Sequence, residues 1–169
     1  VAEWTADEKK IIRFETIIPK GLITSDNLQL SFDLPDAVRP KDIGTGGDAR
    51  TLGIAMVSLT MELVENSFEG ARTLADLESS PDYRYGSSIR FGRGGNADSF
   101  LGEGWSDGNQ DGICWNDGYR ATARFTARPP VGDLVMDVSF IPFTVDEKIP
   151  AQRVRVSVNG TAVADWTAK

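Results

Sequence analysis

Histidine is absent from the 169 residues, which removes the commonest general base near neutral pH, every Ser-His or Cys-His nucleophile pair and the usual zinc ligands. An enzyme built on this chain would have to work with carboxylates. Cysteine is nearly as scarce: Cys114 stands alone, cannot pair within the chain, and reads as a small buried hydrophobe. The thiol count points to no redox compartment. No apolar run approaches the roughly 18 to 20 residues that a membrane helix needs, and the first residues lack a secretory leader pattern, which describes these 169 residues and not a longer parent chain. Basic residues are outnumbered, 18 Lys and Arg against 25 Asp and Glu, for a net charge of −7. That balance disfavours nucleic acid or an anionic bilayer as a partner and suits a neutral, polar ligand.

What the chain does have is a motif shared by its two ends. Val1-Ala2-Glu3-Trp4-Thr5-Ala6 returns as Val163-Ala164-Asp165-Trp166-Thr167-Ala168, with Glu exchanged for Asp. A missed repeat misplaces every element of a fold, so this one is weighed first. It implies that the chain spans one period of a tandem array, or one circularly permuted unit, and that its two ends claim the same structural slot. The length suits a single domain over residues 1–169, large enough to bury a core without staples. Within it, residues 1–64 read as the C-terminal half of a unit and 83–169 as the N-terminal half of the next, with 65–82 as the junction. Such a chain closes as a monomer or exchanges strands in a dimer.

Helical periodicity is weak, while short alternating runs bounded by Gly, Pro, Asn and Asp recur. Lys10 to Ile18 alternates around Ile12, Phe14 and Thr16, and Asn27 to Leu34 around Leu28, Leu30 and Phe32. Arg50 to Leu63 reads as a longer strand region with Ile54, Met56 and Leu59 inward. Further strands are expected over Tyr83 to Phe91, Tyr119 to Ala127 and Leu134 to Phe143. Gln152 to Val158 and Thr161 to Trp166 flank Asn159-Gly160, the dipeptide favoured in a two-residue type I′ hairpin turn. Phe68 to Leu77 has the spacing of a short helix. The sum is an all-β, two-sheet antiparallel sandwich of jelly-roll-like form.

Two groups of motifs carry a family resemblance. Phe91-Gly92-x-Gly94-Gly95, Leu101-Gly102-x-Gly104-Trp105-Ser106, Trp115-x-x-Gly118 and Gln152-x-Val154-x-Val156-x-Val158-Asn159-Gly160 resemble the first half of an uncharacterised bacterial β-sandwich domain. That domain is found attached to glycosyltransferases and other polysaccharide-assembly proteins. Leu30-x-Phe32-x-x-Pro35-x-Ala37, Pro40-x-x-Ile43-Gly44 and Asp48-x-Arg50-x-Leu52-Gly53 resemble its second half, so the halves stand here in reversed order. Where the family often has Pro-Glu after Gly-Trp-Ser, this chain has Asp107-Gly108-Asn109. The resemblance implies a bacterial, cell-envelope polysaccharide context.

Candidate chemistry collects in the loop around residues 105–119. Trp105, Trp115 and Tyr119 supply flat rings, and Asn109, Gln110 and Asp117 supply short polar partners for hydroxyls, which is the pairing a glycan site needs. The competing reading makes Trp105 and Trp115 part of the sandwich core. Asp107, Asn109 and Asp111 match the first ligands of a calcium loop, but Gly118 stands where the bidentate Glu would be, leaving structural calcium or a plain solvated turn. No other cofactor is implied. Gly104-Trp105-Ser106-Asp107-Gly108 fits a nucleophile-elbow pattern, and the missing histidine discounts it. Asp48 and Arg50 read as a local ion pair.

The leading expectation is therefore a non-catalytic carbohydrate-binding or accessory module of a bacterial polysaccharide-processing protein. A structural or assembly spacer with no small ligand is the alternative. A carboxylate-based glycosidase or lyase drawing on Glu103, Asp107, Asp111 and Asp117 comes third, since it needs an acid of raised pKa facing an ionised partner.

Overall fold

A computed structural model describes residues 10–64, 83–107 and 110–169. The short helix expected over Phe68 to Leu77, the first copy of the terminal motif and Asn109 lie outside the described residues. Two antiparallel sheets pack face to face. The first has the order β1 (Ile12–Ile18), β7 (Leu134–Pro142), β3 (Ile54–Leu63), β4 (Ile89–Arg90), with β5 (Cys114–Trp115) also paired to β3. The second runs β6 (Arg120–Thr126), β2 (Asn27–Asp33), β8 (Gln152–Val158), β9 (Thr161–Ala168). The chain crosses between sheets after β1, β2, β5, β6 and β7, so neighbours in a sheet are mostly distant in sequence. The all-β sandwich expected from the alternating runs is the architecture observed.

Alternation explains the core. On β7, Leu134, Met136, Val138 and Phe140 are fully buried; across from them in the second sheet, Val154, Val156 and Val158 on β8 and Leu28, Leu30 and Phe32 on the adjacent β2 are buried too. Successive strand side chains point to opposite faces, so each run delivers one apolar row to the space between the sheets. Asn159 and Gly160 both have positive φ, 47° and 84°, as a type I′ turn requires, and they join β8 to β9.

One strand departs from simple alternation. β3 buries Met56 and then Leu59 and Met61, and its register against β7 slips between Met56 and Ser58. Val57 is the extra residue of a β-bulge. A slip of one residue moves every later side chain to the other face. The bulge therefore turns Leu59 and Met61 inward and sends Ser58, Thr60 and Glu62 outward.

The expected strand over Tyr83 to Phe91 shortens to β4. Tyr83 is buried, its hydroxyl accepting from Met61 N at 3.0 Å and donating to Ser87 O at 2.9 Å, and the chain turns at Gly86 (φ 89°) before pairing begins. With the phenol held inside and the chain turning at Gly86, only Ile89 and Arg90 fall into register with β3, opposite Leu59 and Ser58.

The two sheets also meet along one side. Thr16 Oγ1 on β1 donates to Val163 O on β9 at 3.1 Å, and the rings of Phe14 and Trp166 stack at 5.0 Å. A second, smaller apolar cluster of Leu52, Ala55, Trp115, Ile141 and Phe143 covers part of the outer face of the first sheet.

Candidate functional site

The loop around residues 105–119 is built chiefly for structure. Trp105 packs edge-on to Phe32 at 6.2 Å and against Phe91 at 5.6 Å, and its Nε1 donates to Thr122 O at 2.7 Å. Gly104 before it has φ 84°, and a Cβ there would sit 1.9 Å from Arg120 O, so only glycine lets the loop lie this close to β6. Trp115 is 5% exposed, wedged in the outer cluster against Phe143, with its Nε1 donating to Gln110 Oε1 at 3.2 Å. Trp115 has almost no exposed face for stacking in this arrangement, and Trp105 is half-buried. Tyr119 is open, at 64% exposure.

The polar members of the loop divide in the same way. Asp117 Oδ1 accepts from Thr51 N at 2.9 Å and fixes the turn before β3. Gln110 and Asp107 are exposed, and Asp111 lies 3.6 Å from Arg93 with its side chain 84% exposed. Among the described residues, no three side chains of metal-ligating type are grouped to hold an ion. Ser106 Oγ donates to Trp115 O at 2.9 Å, and Cys114 Sγ to Ser106 O at 3.4 Å. Burial pushes the Cys114 thiol up to about 11, so it stays protonated and unreactive near neutral pH. Asp48 and Arg50 form the expected ion pair, with Arg50 Nε 3.1 Å from both carboxylate oxygens. Arg50 holds the Asp48 carboxyl below its ordinary value, chiefly by that hydrogen bonding.

The strands place a different group of polar side chains together. A groove of about 340 Å³ runs over the outer face of the first sheet, across β1, β7 and β3. Strand register arranges it as rows: Arg13 opposite Ser139 opposite Ser58, then Glu15 opposite Asp137 opposite Thr60, then Ile17 opposite Val135 opposite Glu62. Neighbouring strands stand about 4.8 Å apart, and alternate residues of a strand about 6.8 Å, so the rows form a lattice of hydroxyls and charges on a rigid support. The β3 column exists only because Val57 bulges.

Electrostatics hold the lattice together. Glu15 and Asp137 are carboxylates directly opposite one another, a destabilising arrangement if left alone. Arg13 binds both, donating to Glu15 Oε1 at 3.1 Å and to Asp137 through Nε. The hydrogen bond to Asp137 raises the Arg13 guanidinium above its ordinary value, with the charges of Asp137 and Glu15 adding to it. With Glu62 alongside, the groove carries one cation and three anions. Such a surface repels anionic polymers and presents many donors and acceptors to a neutral polyol.

Sequence reasoning did not select this surface. The signal was present as alternate polar positions, Arg13 and Glu15, Ser58, Thr60 and Glu62, Asp137 and Ser139. Each set alone looks like a solvated strand face, and only the β1-β7-β3 order joins them. None of Glu103, Asp107, Asp111 and Asp117 lines the groove.

Comparison of the chain with protein-family profiles, with curated proteins and with solved structures finds no match.

Proposed function

We propose that this chain is a non-catalytic carbohydrate-binding module of a bacterial polysaccharide-processing protein, and that it reads a neutral glycan along the groove on its first sheet. The observation that carries this reading is the lattice itself. Three hydroxyls, a guanidinium and three carboxylates lie at strand spacing on one pre-formed face. A sugar chain presents hydroxyls at comparable intervals, and a rigid array loses little entropy on engaging them. Exposed Ile17 and half-buried Val135 add apolar surface at one end for the C–H faces of a ring. Tyr119 is the ring from the 105–119 loop that remains free to stack.

The test is a glycan-array screen of the intact chain with calcium and chelator arms, followed by calorimetry on any hit. Losing a hydrogen bond to a charged group is worth about 1.5–3 kcal/mol, so Asp137→Ala should weaken binding about tenfold or more while the melting temperature stays near that of the parent. Arg13→Ala should weaken it as much while also lowering the melting temperature, because Glu15 and Asp137 then face one another unneutralised. A glycan that binds with equal affinity to these variants would place the ligand elsewhere; retention of binding after Tyr119→Ala would exclude the loop. Calcium dependence would bring Asp107 and Asp111 into the account.

A second reading has its own support. Trp115 is committed to packing and to a hydrogen bond with the Gln110 side chain, and Trp105 to packing and a backbone hydrogen bond, as they would be in a module that spaces or assembles neighbouring domains. A folded protein that binds no glycan on the array would favour that role.

A further inference from the structure

The last strand of the second sheet sits in a slot with a small set of requirements. On β9, Trp166 is 8% exposed and Ala168 1%, and the indole stacks on Phe14 at 5.0 Å and on Phe140 at 6.4 Å. Asp165 lies opposite Arg155, with their side chains 3.3 Å apart. Val163 supplies a half-buried side chain and the carbonyl that accepts from Thr16. Val1–Ala6 carries the same side chains in the same order: Val1 for Val163, Trp4 for Trp166, Ala6 for Ala168, and Glu3, a longer carboxylate, for Asp165. A strand held by backbone pairing and alternate pockets can be replaced by any segment that meets both demands.

The direction of β9 also matters. Phe14 meets Trp166 and Thr16 meets Val163, so β1 and β9 run in opposite senses, and the end of β9 lies beside the start of β1. A segment ending where Ala168 ends would need to connect to Ile12 across roughly one sheet-to-sheet spacing, about 10 Å. The run Asp7-Glu8-Lys9-Lys10-Ile11 covers up to about 16–18 Å when extended. The run is therefore long enough for a segment ending at Ala6 to enter the slot from within its own chain, in the orientation that β8 requires.

We propose that the β9 position is a shared strand slot, and that Val1–Ala6 of the same chain can fill it in place of Val163–Ala168. The fold then has two strands for one place. When the N-terminal strand holds the slot, the strand after the Asn159-Gly160 turn is released with its indole.

A double-mutant cycle in the full chain tests this. If each copy substitutes for the other, Trp4→Ala leaves the melting temperature unchanged, Trp166→Ala lowers it by a few degrees at most, and the double variant lowers it by on the order of 10 °C, the cost of emptying a buried indole site. In chains carrying 5-fluorotryptophan, the fluorine signal lost in Trp4→Ala should become protected from a soluble paramagnetic quencher in Trp166→Ala. The variant should keep a monomeric mass by light scattering. The proposal is overturned if Trp166→Ala alone produces the whole loss and Trp4→Ala adds nothing to it, or if the Trp4 signal stays open to the quencher. A dimeric mass for Trp166→Ala would also overturn it, by assigning the slot to a strand from a second copy.

Discussion

Asn116 is fully buried and spends its hydrogen-bonding capacity on backbone. Its side-chain oxygen accepts from Gly53 N at 2.7 Å and Ile54 N at 2.8 Å, and its nitrogen donates to Thr51 O at 2.9 Å and Gly118 O at 2.7 Å. It ties the start of β3 to the loop that follows β5. Replacing it with Ala would leave these groups unpartnered out of reach of water, at a cost of at least about 2 kcal/mol. Urea denaturation of Asn116→Ala should show that loss with no change in the dependence on denaturant. In sequence, Asn116 sits among Trp115, Asp117 and Tyr119 as one more polar neighbour of a ring cluster. A buried clamp and an exposed sugar ligand use the same carboxamide, and composition does not separate them. The same holds for Trp105, whose role is decided by the carbonyl of Thr122 and the rings of Phe32 and Phe91, all remote in sequence.

Among the elements, β3 does most to shape the candidate site. Its apolar residues Ile54, Met56, Leu59 and Met61 cannot all face one way on a regular strand, because the step from Met56 to Leu59 is odd. The spacing is visible in the sequence, but the reading of Arg50 to Leu63 as one strand region places no irregularity near Val57; the slipped register does. Nor does the spacing reveal the consequence for Ser58, Thr60 and Glu62, which matters only once β7 brings β1 alongside. Deleting Val57 would restore regular pairing and force either Leu59 and Met61 outward or Met56 and Ile54 outward. The deleted chain should lose cooperative unfolding and its near-UV circular dichroism. Val57→Ala keeps the bulge and should cost less than about 1.5 kcal/mol, since that side chain is only half-buried.

For the molecule as a whole, burial sets the response to pH. Tyr83 is pushed up to about 12, chiefly by desolvation, while its unfolded value is near 10. An acid whose folded value is raised stays protonated longer in the native state, so its contribution is intact below pH 10 and is lost as pH rises towards 12. Stability should fall over that window, and Tyr83→Phe should flatten the fall even though it removes two hydrogen bonds; melting curves across the alkaline range would show it. At the acid end, Arg153 lowers the Asp36 carboxyl and Arg50 lowers that of Asp48, both mainly through side-chain hydrogen bonds. Their contribution is present above the ordinary carboxylate range and lost as pH falls through the lowered values, but water screens both pairs, so the effect is small.

Alternation and turn chemistry are properties of neighbouring residues, and they sufficed to determine an all-β sandwich, the inward rows of β2, β7 and β8 and the Asn159-Gly160 hairpin. Strand order and the register between strands are not local. They decided that Trp115 packs under Phe143 instead of facing solvent, that Arg13 comes to neutralise Glu15 and Asp137, and that three unrelated polar columns meet as one groove. The physical reason is that a strand's own sequence specifies which face is buried, whereas its neighbour is chosen by the packing of the whole sandwich.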